Sequence, residues 1–289
     1  MGFTRYLPLF KLRICSLITF SAVVGLIAAG SRPGSVGRVV FLVIATMLAS
    51  ASASAFNHYF DSDIDSLMNR TRKRPLPSGT VLSARAVLVT AILLFALSLL
   101  VSFQALNFMV ALHLALGAFV YAIVYTVWLK RRSWLNIIIG GLAGSFAVLA
   151  GGASVSPEFC APPVLLAVVM FFWTPSHFWS FAIYHREEYE KAGVPMLPVV
   201  VGDGRTALYI LINTVFLVAS SLVPFFMGYS GWIYMASAVS VGAYFIFWNI
   251  RLLKRPERDV AWKNFKVSMI YLGILFTSVI IDMSVKGLF

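Results

Sequence analysis

Long stretches without a charged side chain alternate with short charged segments along the whole chain. A helix that crosses a bilayer needs about 20 apolar residues, so a stretch of that length predicts one span and a stretch twice as long predicts two. The two longest stretches would fold back near residues 103–107 and 228–231. Nine transmembrane helices are therefore predicted, from uncharged stretches at residues 14–31, 39–60, 86–129, 133–157, 159–184, 206–250 and 267–281.

The composition agrees with a chain that lies in lipid. Of the 289 residues, 60% are hydrophobic and only 12% are charged. A soluble domain of this length could not cover its apolar core with so few charges. No low-complexity segment and no linker longer than a loop interrupts the pattern. We therefore expect an all-α, polytopic membrane protein in which residues 1–289 form a single domain.

The Lys and Arg residues predict how the chain is oriented in the membrane. If the N-terminus is cytoplasmic, every one of them except Arg32, Arg38 and Lys286 falls on the cytoplasmic side, as the positive-inside rule requires. The net charge of +12 then reflects this topology and an attraction to anionic lipid headgroups. It predicts no nucleic-acid partner.

Three of the predicted cytoplasmic segments are long, whereas the outer connections are short and almost uncharged. The long segments cover residues 58–85, 185–205 and 251–266. The first two of them hold most of the acidic residues of the chain. We therefore expect the chemistry of this protein at its cytoplasmic face.

The first long segment opens with polar residues at helical spacing. Asn57, Asp61 and Asp65 are four residues apart, so a second span that continued as a helix would carry all three on one face. Asp63 would point to the other side. Aspartates this close repel one another unless a cation lies between them, and Mg²⁺ prefers oxygen ligands and bridges readily to phosphate. The spacing predicts half of a metal–diphosphate site; the alternative is a solvated helix end.

A basic segment follows these aspartates. Pro75, Pro77 and Gly79 are expected to end the helix and turn the chain back. Cations in this segment would then fold over the metal and bind phosphate oxygens. The alternative treats them as ordinary positive-inside residues. They are Arg70, Arg72, Lys73 and Arg74.

A second acidic group follows the sixth predicted span on the same membrane face. Glu187, Glu188 and Glu190 lie there beside Arg186 and Lys191. Two acidic groups that converge on one cavity would form a two-sided clamp for Mg²⁺ and diphosphate. The alternative is an amphipathic loop with i,i+4 pairs such as Arg186 with Glu190.

Three histidines lie in or beside predicted spans. His177 is roughly two turns from the cytoplasmic end of its span, and polar groups at that depth often mark function. It either faces a ligand or forms an interhelical hydrogen bond. We expect His113 to be structural and His58 to flank the metal site.

These motifs, in this order, resemble the UbiA superfamily of intramembrane prenyltransferases. The first signature of that superfamily places Asp residues four and eight positions after an Asn, as Asn57, Asp61 and Asp65 are placed here. The Asp that frequently follows the Asn is replaced by His58.

Further segments resemble one subgroup, the haem O synthases (protoheme IX farnesyltransferases). They are RTRKRPLPSG at 70–79, YTVWLKRRSWLNIIIGGLAG at 125–144, WTPSHFW at 173–179 and YHREEYEKAGVPMLPVV at 184–200. Some positions depart from the subgroup pattern, which usually has Pro between the Lys and Arg near the N-terminus. The departures include Leu12, His185 and Glu188.

The resemblance implies an activity and a set of site residues. A farnesyl group would pass from farnesyl diphosphate to a vinyl group of haem b, with addition of water, giving haem O for respiratory terminal oxidases. Mg²⁺ would be held by Asn57, Asp61 and Asp65. Glu187 and Glu188 would either bind a second metal, with Glu188 as a ligand, or order their loop. The diphosphate-binding residues would be Arg70, Arg72, Arg74 and Lys130, with Lys11 and Arg13 as weaker contributors. The haem or prenyl pocket would contain Asn136, Trp173, His177, Trp179 and Tyr184.

The resemblance also implies partners and a location. The substrates would be farnesyl diphosphate and haem b, the setting the lipid bilayer of a bacterial inner membrane, and the active site would face the cytoplasm. A haem A synthase or a terminal-oxidase assembly protein is a possible partner. One alternative keeps the chemistry and changes the acceptor to an aromatic or quinone precursor. A transporter is disfavoured, because the predicted spans are almost free of charge at mid-bilayer.

Overall fold

The computed structural model describes residues 6–30, 36–79 and 83–286. Arg5 and Arg32, which enter the predicted orientation, lie outside the described residues. Helices are the only regular elements within the described ranges, and they are joined by short connections. In chain order the helices are a 3₁₀ turn (Leu7–Phe10), α1 (Leu12–Ala28), α2 (Val36–Phe60), α3 (Ser62–Leu67), α4 (Ala84–Ala105), α5 (Phe108–Phe119), a π-helix (Val120–Leu129), α6 (Asn136–Gly140), α7 (Leu142–Ala153), α8 (Ala161–Tyr184), α9 (Arg186–Lys191), α10 (Leu197–Val201), α11 (Asp203–Phe226), α12 (Trp232–Lys254) and α13 (Arg258–Lys286).

Nine spans are long and apolar enough to cross a membrane, counted over the described part of the chain. The 3₁₀ turn with α1, α5 with the π-helix, and α6 with α7 each make one of them, and α2, α4, α8, α11, α12 and α13 make the rest. The predicted all-α, nine-span architecture is confirmed, and the protein is an integral membrane protein. The cytoplasmic position of its N-terminus stays a prediction.

Both predicted fold-back points are present, and each is held by a polar side chain. Asn107 caps α5, because its Oδ1 accepts a hydrogen bond from the Val110 amide (3.0 Å), and its amide nitrogen donates to the carbonyl of Ala153 (2.8 Å). At the second point the Asp282 carboxylate accepts a hydrogen bond from the Gly231 amide at the start of α12. Polar caps are needed at these points because the first amides of a helix have no partner within it.

The third long cytoplasmic segment predicted from the sequence, residues 251–266, is mostly helical. α12 continues to Lys254 and α13 begins at Arg258, so the connection at 255–257 is short and most of the charged residues of 251–266 lie on helices. Helix keeps the backbone hydrogen-bonded near the bilayer, while long basic side chains such as Lys266 reach out to water.

Helices α1 and α7 pack with their backbones almost in contact. A Cβ atom on Gly151 would lie 1.8 Å from the carbonyl oxygen of Ala22, and one on Gly25 would lie 2.1 Å from that of Val148. In lipid the hydrophobic effect does not drive helices together, and small residues at such crossings allow close van der Waals packing instead. A central cavity is bordered by α1, α2, α5, the π-helix, α7 and α8. We call the end of the bundle formed by α3, α9 and residues 68–79 and 130–132 the charged end.

Candidate active site

Asn57, Asp61 and Asp65 form one continuous stripe at the charged end, which we call the polar stripe. The Asp61 amide donates to the Asn57 carbonyl (2.9 Å) and the Asp65 amide to the Asp61 carbonyl (2.8 Å). Helical hydrogen bonding therefore passes through the break at Asp61 between α2 and α3, and the three side chains share a face. They are buried, with relative exposures of 3%, 0% and 1%. The structure thus has the arrangement that the spacing predicts.

Each member of the polar stripe contacts a cation from a different part of the chain. Lys11 Nζ donates to Asn57 Oδ1 at 2.8 Å. Lys130 forms an ion pair with Asp61, and Arg74 Nη1 lies 2.6 Å from Asp65 Oδ2. The stripe is also linked internally, since Asn57 Nδ2 donates to Asp61 Oδ2 (2.6 Å). Lys11 has a left-handed backbone, with φ of 43°, and we infer that this turn helps to aim its side chain at α2.

Two oxygens of the polar stripe have no hydrogen-bond partner. Asp61 Oδ1 and Asp65 Oδ1 are buried and unsatisfied, although Arg131 lies 3.6 Å from the former. A buried, unpartnered carboxylate oxygen is unfavourable, and it is the donor that Mg²⁺ prefers. Within the described ranges no group of three or more His, Cys, Asp or Glu side chains could hold a metal. The two unpartnered oxygens fit a divalent ion that takes few protein ligands and completes its shell with phosphate and water.

Asp63 lies off the stripe, as predicted. Its side chain is 63% exposed and pairs with both terminal nitrogens of Arg131 at 2.7 Å. These hydrogen bonds lower the pKa of Asp63. Arg131 also donates to the Phe60 carbonyl (2.9 Å), so the pair fastens residues 130–132 to the end of α2.

A large cavity runs from the charged end into the bundle. Its volume is about 570 Å³, within the range of small-molecule sites. Its walls are mainly apolar, and the deep part is bordered by Ile18, Thr46, His113 and Leu114. Polar lining is concentrated at the charged end, where the residues are Lys11, Asn57, His58, Asp65, Arg70, Arg74 and Lys130.

The structure divides the predicted diphosphate-binding residues into two groups. Lys11, Arg70, Arg74 and Lys130 line the cavity. Arg13 and Arg72 are exposed and lie outside its lining. Asp61 does not line the cavity either, but its partner Lys130 does.

Neither predicted glutamate reaches the cavity. Glu187 is exposed and Glu188 is half-buried, and its carboxylate lies 3.8 Å from the His185 ring. Burial lowers the pKa of His185, which disfavours the charged form of this ring. The short helix α9 instead turns Tyr189 into the cavity, where burial raises the pKa of the phenol. A metal-ligand role for Glu188 stays a prediction.

Of the five residues predicted for the haem or prenyl pocket, only His177 lines the cavity. The face of α8 that borders it carries Thr174, His177, Phe178 and Phe181, which follow helical i, i+3, i+4, i+7 spacing. The other four predicted residues have structural contacts. Trp173 donates to the Ser268 carbonyl, and Trp179 is buried in the core near α9 and α10. The Tyr184 ring packs at a tilt against Trp262, and Asn136 donates to the Lys130 carbonyl.

Sequence reasoning missed the aromatic wall supplied by the π-helix. Its hydrogen bonds reach five residues back, as from the Lys130 amide to the Tyr125 carbonyl (2.8 Å). The wider turn places Tyr121, Tyr125 and Lys130 on the same side, all lining the cavity. π-helical segments are frequent at functional sites, but no residue pattern in the sequence predicts this one.

The sequence analysis gave His58 only a flanking role. The residue is buried and lines the cavity, and neither of its ring nitrogens has a hydrogen-bond partner.

Relatives with curated names match nearly the whole chain. Over 98% of its length the chain is 47% identical to protoheme IX farnesyltransferase 1 of Paramagnetospirillum magneticum and covers 99% of that protein. It is 41% identical to protoheme IX farnesyltransferase 1 of Cenarchaeum symbiosum, over 98% of this chain and 96% of that one.

Solved structures show the same fold. A UbiA homologue from Archaeoglobus fulgidus bound to DMAPP and Mg²⁺ superposes with a TM-score of 0.71, at 20% identity over 95% of this chain and 99% of that one. A structure reported for digeranylgeranylglyceryl phosphate synthase gives a TM-score of 0.82 at 21% identity, over 97% of this chain and 98% of that one. Residues 18–275 match the UbiA prenyltransferase family, and the chain belongs to that family.

Proposed function

We propose that this enzyme transfers the farnesyl group of farnesyl diphosphate to a vinyl group of haem b and adds water, giving haem O for respiratory terminal oxidases. The main support for prenyl transfer is that the buried polar stripe and its cations lie beside an apolar cavity. The choice of acceptor is supported by relatives named protoheme IX farnesyltransferase, which match nearly the whole chain.

The polar stripe would hold Mg²⁺ through Asn57, Asp61 and Asp65. When bound, the ion supplies Lewis acidity that neutralises charge on the departing diphosphate. Lys11, Arg74 and Lys130, which contact the stripe, would donate hydrogen bonds to diphosphate oxygens. Arg70 lines the same region, with its guanidinium 5.1 Å from the centre of the Phe181 ring.

The farnesyl chain would lie in the apolar part of the cavity. The allylic C–O bond breaks with its electron pair leaving on diphosphate, and the allylic carbon bonds to the terminal carbon of the vinyl group. Water then adds to the carbon next to the porphyrin and releases a proton. Aromatic faces stabilise the cationic stages, and Tyr121, Tyr125, Phe178 and Phe181 supply them in the cavity lining.

We place the charged end at the cytoplasmic face of a bacterial inner membrane, because this orientation puts nearly all Lys and Arg residues on the cytoplasmic side. Both substrates would then enter from the inner leaflet or the cytoplasm. A haem A synthase or an oxidase-assembly protein stays a predicted partner.

The test supplies purified enzyme in lipid nanodiscs with farnesyl diphosphate, Mg²⁺ and either haem b or 4-hydroxybenzoate. Mass spectrometry should find a farnesylated, hydrated haem and no prenylated benzoate. A matched reaction without enzyme controls for spontaneous transfer. Prenylation of 4-hydroxybenzoate with haem b untouched would replace the proposal by the aromatic-acceptor alternative.

A further inference from the structure

His177 is held in a fixed orientation between two helices. Its ring stacks on Trp173 of the same helix (centroids 4.2 Å apart, planes 19° apart) and on Phe265 of α13 (4.5 Å, 29°). Its Nδ1 lies 2.7 Å from the hydroxyl of Ser268. Both faces and one edge of the imidazole are therefore engaged by protein.

The hydrogen bonds of Ser268 determine which ring nitrogen of His177 is protonated. The Ser268 hydroxyl donates to the Phe265 carbonyl (2.6 Å), since a carbonyl oxygen can only accept. Its single proton is thus used, and the hydroxyl must accept from His177 Nδ1–H. In the neutral imidazole, Nε2 then carries a free lone pair.

The edge that bears Nε2 is the part of His177 left to border the cavity. His177 is among the lining residues, whereas its two faces and its Nδ1 edge are covered. It lies about two turns before the end of α8 at Tyr184. The lone pair is therefore presented a short distance below the charged end, where the polar stripe lies.

We propose that His177 Nε2 coordinates the iron of the haem substrate. This inference rests on the proposed function, because it takes haem b as the acceptor. A neutral imidazole whose other N–H donates to a fixed oxygen is the usual form of a histidine that ligates a metal. Coordination holds the porphyrin in one orientation, which limits the vinyl groups that can meet the farnesyl carbon.

The other two histidines of the cavity are less suited. His113 Nδ1 contacts the Met109 carbonyl (2.8 Å), but the residue lies about four turns from the end of its span at Leu129, roughly twice as deep as His177. His58 has no hydrogen-bond partner on either nitrogen, so nothing fixes its tautomer. His58 and His113 serve as matched control positions.

The experiment titrates haem b into the full-length enzyme in nanodiscs without farnesyl diphosphate. Wild type should show the iron–histidine stretching band of a ligated ferrous haem by resonance Raman spectroscopy. His177→Ala should lose this band and regain it with added imidazole, whereas His113→Ala and His58→Ala should keep it. A band that survives in His177→Ala, or that disappears instead in either control variant, overturns the proposal.

Further measurements separate coordination from packing. Ser268→Ala keeps the ligand but loses the acceptor for Nδ1–H, and should weaken haem binding by about tenfold; His177→Ala should weaken it more. Binding of metal-free protoporphyrin IX should be equal in wild type and His177→Ala, and an equal loss for haem and metal-free porphyrin would contradict the role in coordination. If wild type makes no farnesylated haem, the proposed function fails; if it makes haem O without any iron–histidine band, only this inference fails.

Discussion

Asp61 gives the most direct test of the polar stripe, because it is fully buried and belongs to both the proposed metal site and the cation network. Its Oδ2 atom pairs with Lys130 and accepts a hydrogen bond from Asn57 (2.6 Å), while Oδ1 has no hydrogen-bond partner. Asp61→Asn preserves the shape of the side chain and removes its charge. We expect it to reduce both stability and turnover, for two separable reasons.

The variant should be less stable because Lys130 stays buried without its charged partner. The Lys130 side chain is 9% exposed and that of Asp61 is 0% exposed. Removing one member of a buried ion pair costs about 3–5 kcal/mol, whereas replacing both can be almost neutral. The double variant Asp61→Asn with Lys130→Met should therefore recover most of the stability that the single variant loses.

The activity loss follows from weaker stabilisation of the departing diphosphate. Removing one preorganised electrostatic contact typically lowers turnover by about 10²-fold or more, equal to about 2.7 kcal/mol. Asp61→Asn should therefore lose at least that much kcat/KM at a temperature where it is folded. The double variant should stay inactive, because it lacks a proposed metal ligand and a proposed diphosphate contact.

The assay measures haem O by chromatography and mass spectrometry, alongside thermal unfolding of each variant in the same detergent. Asp63→Asn is the matched control, since its pair with Arg131 is exposed and such pairs contribute only about 0–1 kcal/mol. Its turnover should stay within a few-fold of wild type. The reasoning is refuted if folded Asp61→Asn keeps more than about a tenth of wild-type activity, or if Asp63→Asn loses as much as Asp61→Asn.

Other predictions concern the metal and the packing. Thorough chelation with EDTA should abolish turnover and added Mg²⁺ should restore it; turnover that persists after chelation would remove the metal from the mechanism. Gly151→Ala should destabilise the enzyme, because the new methyl group would lie 1.8 Å from the Ala22 carbonyl oxygen and helices α1 and α7 must separate; an unchanged unfolding temperature would show that this crossing is loose. Asp282→Ala should reduce stability by about 1 kcal/mol with KM unchanged, because the Asp282 carboxylate caps α12 by accepting hydrogen bonds from the amides of Gly231 and Tyr234. A change in KM without a change in stability would contradict a purely structural role.

The span count could be derived from the sequence because it depends on local quantities. An uncharged stretch must be long enough to cross the bilayer, and this length is visible along the chain. The same holds for the polar stripe, because residues four apart share a helical face wherever the helix lies. The helical structure of residues 251–266 could not be derived in this way, since charge alone does not show whether a segment outside the apolar core remains helical.

Which side of each helix borders the cavity was decided by the tertiary structure. The face of α8 that borders the cavity and the face that packs into the core are both apolar, so its pattern did not distinguish Phe178 and Phe181 from Trp179.

The sequence by itself determined a nine-span helical protein with a carboxylate-bearing helical face at one membrane surface. Only the fold decided that Lys11 and Lys130, 46 and 69 residues from their partners in the chain, reach Asn57 and Asp61, and that Tyr189 rather than Glu188 lines the cavity. These contacts arise from the packing of distant helices, and residue spacing along one helix carries no information about them.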